Sequence, residues 1–336
     1  MVILKEMNYI VLRSRGRTAL SVCIAALLVC CMSFYLGSIQ TAESAEENLA
    51  QVIPVTAQVV SRSGARTVGF EIDENHFANL MKADIKDAVY TASACANFQE
   101  QYRAEDVQGA DTSVTAVSGL SALVGVTEEN ITFENGYDLS FLESVEPLCV
   151  VSQSYAAQYG LNVDDMLSMP FYVTRYNDDG FSLRYEHLGM QDVKIIGVYA
   201  DSASGSSVPC SMIVSVPWLQ TVVKENNLRF YYSSFRCALR DPMKLNDFKD
   251  AMRGAGFAKP DPNALDERHG DTLVVDDQLF IETAEKLEQN LKVLRWFLAP
   301  FFALVIVLVT LVTFLLLRST RRDMACLLYT SPSPRD

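Results

Sequence analysis

Three histidines, eight cysteines and a scatter of paired carboxylates are the residues with which this chain could do chemistry. Their spacing argues against an enzyme. His76, His187 and His269 are far apart, and no His-Glu-x-x-His or Cys-x-x-Cys spacing occurs, so no metal ligands are expected. There is no Gly-x-Ser-x-Gly elbow and no Gly-x4-Gly-Lys-Ser/Thr loop, so neither an elbow-type hydrolase nor a self-contained ATPase is supported. Asn177, Asp179, Gly180 and Glu186 fall at positions 3, 5, 6 and 12 of a calcium loop, but position 1 is Arg175, a cation where a carboxylate is required. A hairpin turn at Asn177–Gly180 is the expectation instead. Asp261-Pro262-Asn263 and Asp276-Asp277 read as solvated turns. No catalytic, cofactor-binding or metal-binding residue is therefore assigned, and no cofactor is expected.

What the chain has in place of a reaction centre is two apolar runs. Residues 296–317, WFLAPFFALVIVLVTLVTFLLL, hold no charge between Arg295 and Arg318. At 1.5 Å per residue they cover roughly 33 Å, enough for a bilayer core, and they lack the polar stripe of a soluble helix. Residues 18–42 are also uncharged. Residues 18–38 are taken as the first membrane span and 296–317 as the second. A cleavable signal peptide is the rival for the first run, but the run is long and Ala-Glu-Ser at 42–44 is a poor cleavage site.

Charge sets the topology. Residues 1–17 carry a net +3, residues 37–317 a net −18, and residues 318–336 a net +2. Lys and Arg bias puts both ends in the cytoplasm and residues 39–294 outside, in a multi-pass protein of the cell membrane. The acidic middle would repel phosphates, which excludes nucleic acid as a partner and leaves the lipid bilayer as one.

Both spans are predicted to continue outside the membrane as stalk helices, over 39–52 and 277–294. Ile39, Ala42, Ala45, Leu49 and Val52 recur at helical spacing after the first. Before the second, Phe280, Ala284, Leu287, Leu291, Leu294 and Leu298 step by 4, 3, 4, 3, 4, a heptad seam. Between the stalks the pattern mixes strands at 53–60, 67–72, 193–199 and 212–216 with helices at 75–88 and 217–224. Leu148–Gly160 reads as strand then helix, with Ser152 as N-cap and Gly160 as stop. The fold class is thus an α+β extracytoplasmic domain inserted between two transmembrane helices. Cys95, Cys149, Cys210 and Cys237 are expected to be single buried thiols, since their spacing resembles no compact disulfide framework; two disulfides, in one of three pairings, are the alternative. The last eleven residues, CLLYTSPSPRD, read as one frame of a transposase-type sequencing adapter, so 326–336 are expected to be foreign and the natural chain to be longer.

Three stretches carry a family resemblance. Arg13–Leu20 is similar to an Arg-x-x-x-Arg-Thr-x-Leu opening before the first span. Val150–Leu167 resembles an ectodomain segment "vvise-x-A-x-x-lGlkvGD-x-l", with Asp164 where a Gly is usual. Arg318–Ala325, after the second span, is similar to "R-R-x-E-I-A", with Asp323 standing in for Glu. In this order they resemble the FtsX/MacB-type permeases of ABC transporters. The resemblance implies a permease homo- or hetero-dimer, a cytoplasmic ABC ATPase subunit as partner, and ATP hydrolysis in that partner rather than here. It implies that residues 318–325, with Arg318, Arg321, Arg322 and Asp323, begin the segment that contacts the ATPase, and that motion travels along the stalk for export, extraction or regulation of a substrate. The alternative is a two-span sensor or scaffold that binds an extracellular ligand without an ATPase.

Overall fold

The computed structural model describes residues 15–98, 110–134, 136–177, 179, 182–201, 210–264 and 268–330, with the backbone alone at 15, 17, 18, 21, 47, 316, 317 and 319–330. The chain divides into two compact units, one made of 1–53 with 278–336 and the other of 54–277.

The first unit is built from two helices. Helix α1 runs Arg15–Val52, and a helix of 53 residues, Gln278–Thr330, closes the chain. Each holds a stretch long and apolar enough to cross a membrane, and none of either stretch is buried. Side chains such as Leu27, Phe34, Ile306 and Leu311 are more than half exposed, which in water would be an apolar surface far beyond what a monomer tolerates. Pro300 lies inside the second helix without ending it. It lacks an N–H, so the Trp296 carbonyl one turn back loses its helical partner there. The helix is continuous across the expected end of native sequence, through Cys326–Thr330; residues 331–336 lie outside those described, as do 1–14 of the expected cytoplasmic N-terminus.

The second unit is a mixed α/β domain with ten strands among the described residues. Strand β1 (Thr56–Val60), helix α2 (Glu74–Lys82) and strand β2 (Ile85–Ala96) form its first half. Strand β9 (Ser234–Leu239), helix α5 (Leu245–Gly254) and strand β10 (Thr272–Asp276) form its last. These four strands lie in the order β10-β1-β9-β2 with every neighbour antiparallel. That is the split β-α-β, ferredoxin-like arrangement, in which each β-α-β leaves a gap that a strand of the other half fills.

Everything from 97 to 233 is inserted between its halves. The insertion contributes β3 (Thr112–Val117), β4 (Ile131–Phe133), β5 (Leu148–Ser152), α3 (Gln153–Tyr159), β6 (Met166–Tyr176), β7 (Leu183–Tyr199), β8 (Met212–Ser215) and α4 (Val216–Glu225). Strand β2 is shared. Its first part pairs β9, and its end pairs β3 on one side and β6, at Cys95 and Ala96, on the other. The pairings β2-β3-β8-β5-β7-β6-β2 then close a ring. Two pairs in it, β3 with β8 and β5 with β7, are parallel, so the sheet is mixed. The insertion's own core gathers Val117, Val150, Ile196, Tyr199 and Ile213.

Several local expectations hold. Ser152 caps α3 by accepting from the Tyr155 N–H at 3.1 Å, and Gly160 ends it at φ 67°. Strands β6 and β7 form the hairpin, with Tyr176 opposite Leu183. Asp164 takes the left-handed conformation that glycine favours (φ 79°) and pairs with Lys194 at 2.5 Å. Asp is among the few residues that tolerate it.

Two of the elements expected in this unit fail. The helix expected over 75–88 ends at Lys82, and Ile85 already pairs Leu239 of β9. Val89, Tyr90 and Thr91 have strand-forming side chains, and the open edge of β9 outweighs the weak helical period. The strand expected at 67–72 is a loop with single bridges at Glu71 and Ile72, broken by Gly69 at φ 83°.

The four thiols of this unit are unpaired, and Cys149, Cys210 and Cys237 are buried. Burial pushes the Cys95 thiol up to about 11 and that of Cys237 to about 12, from a usual 9.0. A folded-state pKa raised above the unfolded one stabilises the fold fully below the unfolded pKa, and that stability is lost as pH rises toward the folded value. The urea midpoint, followed through buried Trp218, is therefore expected to stay level up to pH 9 and to fall between 9 and about 12. A Cys95→Ala, Cys237→Ala chain should fall less steeply; an identical slope would contradict this.

Candidate functional site

The two long helices run antiparallel and touch along one face. On α6, Gln278–Thr330, Phe280 and Leu291 are buried, and Ala284, Leu287, Leu294 and Leu298 are partly covered. Glu282, Glu285, Lys286, Glu288 and Lys292 are exposed around them. The covered face continues into the apolar stretch at Phe301, Val305 and Val312.

On α1 the covered positions include Ile24, Leu28, Met32, Tyr35, Ile39, Ala42, Glu46 and Leu49. This corrects the expected stripe: Ala45 is exposed and Val52 is 75% exposed, while Glu46 takes the inner position. Stepping 4 from Ala42 rather than 3 keeps a straight helix on its 3.5–3.6 residue period.

Three contacts fix the register. The Tyr35 ring stacks on Phe301 at 4.6 Å, its hydroxyl donates to the Leu294 carbonyl, and Arg295 pairs Glu43 at 2.8 Å. The ion pair is half exposed and adds little stability, so its use is positional. Stepping one and two heptads along both helices from Tyr35 and Phe301, this register predicts Ala42 beside Leu294 and Leu49 beside Leu287. With Cys23, Cys30, Cys31 and Cys326 replaced by alanine, Leu49→Cys/Leu287→Cys and Ala42→Cys/Leu294→Cys should each give an oxidised intrachain crosslink on a mass shift assay. Ala45→Cys with Gln289→Cys, both exposed, should not. Equal crosslinking of all three pairs would refute this register.

Of the expected ATPase-contact residues, Arg318 is an exposed residue of α6. Arg321, Arg322 and Asp323 continue the helical backbone, and their side chains lie outside the described residues.

The domain carries a feature that sequence spacing did not reveal. A polar cleft of about 730 Å³ is lined by Glu71, Asp73, Glu74, His76, Lys224, Arg229, Arg268, His269 and Asp271, among others. Two of the three histidines thus converge although 193 positions separate them. The start of α2 brings Asp73 and His76, where Asp73 caps the helix by accepting from the His76 N–H at 2.7 Å. Single bridges from Ile72 to Tyr232 and from Glu71 to His269 bring the other walls together. Lys224 at 2.9 Å holds the Glu74 carboxyl below its usual range. For Asp271, burial raises the pKa, but the two-point contact from Arg62 at 2.7 and 3.2 Å outweighs it and the net shift is downward. With both signs of charge on its walls, the cleft suits a polar ligand. Among the described residues no three His, Cys, Asp or Glu side chains stand close enough to hold a metal ion.

Arg175, the residue that argued against a calcium loop, is buried in the hairpin. Its guanidinium faces Glu186 at 3.4 Å, donates to the Arg229 carbonyl at 2.7 Å and lies over the Tyr231 ring.

No family model matches this chain, and no curated protein matches it. Among solved structures it is similar to the periplasmic region of MacB from Actinobacillus actinomycetemcomitans, at 8% identity over 69% of this chain and 92% of that one, with a TM-score of 0.35. It is also similar to a domain of a putative permease protein from Porphyromonas gingivalis, at 14% identity over 66% of this chain and 85% of that one, with a TM-score of 0.30. Likenesses this distant assign neither fold nor function.

Proposed function

We propose that this chain is the membrane subunit of an ABC transporter of the FtsX/MacB type, with both ends in the cytoplasm. In this reading it hydrolyses nothing itself. It passes ATP-driven motion from a cytoplasmic ATPase to the domain outside the membrane, for export, extraction or regulation of a substrate. The observation that carries the proposal is α6: one helix from the end of β10, through the apolar stretch, to Arg318 and beyond. A helix is stiff along its length, so displacing its inner end displaces its outer end, and α1 braces it along the covered face. Pro300, inside the rod, is a place where it can flex. The three motif stretches and the basic flanks of both apolar runs support the same reading.

The test is extraction of the chain from its native membrane with a mild detergent. An ATP-hydrolysing subunit should co-purify, and Arg318→Glu/Arg321→Glu/Arg322→Glu should release it without loss of the chain from the membrane. Absence of any ATPase from the purified wild type would overturn the proposal. The polar cleft favours a second reading, a two-span sensor of an extracytoplasmic ligand, and that same absence would leave it standing.

A further inference from the structure

Strand β10 ends the sheet, with β1 on one side and, among the described residues, no strand on the other. Its outward groups can be assigned. The Leu273 N–H points away from β1, to the Ala258 carbonyl at 3.1 Å. In an antiparallel ladder the amides alternate sides. The Leu273 C=O and both the N–H and C=O of Val275 therefore face the same open edge, beyond the single bridge that Ala258 makes to Thr272.

Alongside that edge runs a groove of about 470 Å³ between β10 and α5. Met252 and Phe257, both buried, form its floor, and Lys249, Arg253 and Lys259 stand on its rim. None of the residues lining it is acidic, in a chain whose net charge is −13. Lys249 pairs Asp277, and Arg253 pairs Asp250 at 2.9 Å, a mostly exposed contact that a competing carboxylate can replace at little cost. No ion pair engages Lys259 among the described residues.

From these features we infer that the β10–α5 groove binds an extended, acidic segment of a partner protein by strand addition. The segment's backbone would pair with the Leu273 C=O and with Val275. Alternate apolar side chains would lie over Met252 and Phe257, and its carboxylates would meet Arg253 and Lys259. Edge pairing supplies affinity, and the groove and rim supply the sequence preference. The inference does not depend on the ATPase reading.

The test uses the whole chain in nanodiscs of uncharged lipid, with empty nanodiscs as control. A fluorescein-labelled peptide of alternating valine and glutamate is followed by anisotropy. It should bind, its affinity should fall with salt, and a valine–lysine peptide should not bind. Arg253→Glu/Lys259→Glu should weaken binding at least about 10-fold. Val275→Pro removes the outward N–H while leaving the β1 side of the ladder, and should weaken it similarly. The charge-reversal pair is on the surface, so it stands even where the proline variant fails to fold. Absence of binding by the wild type, equal binding by both variants, or a chain dimer abolished by Val275→Pro (the edge then being filled by a second copy) would each overturn the inference.

Discussion

Arg175→Ala is expected to destabilise the domain by about 3 kcal/mol, the low end of the range for removing one partner of a buried ion pair. Burial works against this guanidinium and outweighs the charges of Glu186 and Glu71, which counter it in part. Alanine takes away the donor to the Arg229 carbonyl, the partner of Glu186 and the cation over Tyr231 together. The low end applies because Glu186 keeps Arg184 at 3.1 Å and is partly solvated. Arg175→Lys should recover less than half, since a single ammonium cannot serve three directions at once. Urea unfolding of the whole chain reads this directly, and a midpoint unchanged in Arg175→Ala would show that the hairpin does not depend on the buried cation.

Gly270→Ala is expected to cost about 3 kcal/mol, at the top of the usual overpacking range, and Gly270→Val more. A β-carbon there would stand 2.3 Å from Ile72 Cγ1 and 3.0 Å from the Ile72 Cα and N. Ile72 cannot give way. It is fully buried, and its N–H and C=O both bond to Tyr232 at 2.9 Å. Ile72→Ala removes Cγ1 but leaves the backbone contacts. In the double variant the two losses should sum to less than the separate costs, by relief of one of the three clashes. Strict additivity would mean that the loop at 268–271 moves aside instead.

Arg175 and Gly270 both take their weight from partners distant in sequence, and what was legible beforehand was local. The apolar runs, the Ser152 cap and the hairpin strands flanking the expected turn are local patterns, each set by a few neighbouring residues, and the structure has helices, a cap and paired strands there, while Asp178 and Gly180 of the turn lie outside the described residues. Arg175 was visible as a misfit in a calcium loop, but not as a buried anchor, because its partners Arg229 and Tyr231 lie more than fifty positions away. The ferredoxin-like half was illegible for the same reason, since its two β-α-β pieces are separated by residues 97–233. So was the cleft, whose walls come from 71–76, 224–231 and 268–271. The misread end of α2 is a competition that sequence windows do not contain: Ile85–Thr91 is decided by the waiting edge of β9.

The central claim is that α6 carries ATP-driven motion to the outside of the membrane. A spin label at exposed Gln289 of that helix, in chains paired in a nanodisc with the co-purified ATPase, tests it most directly through the distance between the two labels. The account predicts that this distance shifts when a non-hydrolysable ATP analogue is added, and that a Gly-Gly insertion after Leu298 abolishes the shift while ATP binding persists. One and the same distance with and without nucleotide, in an assembly that binds it, would contradict the account.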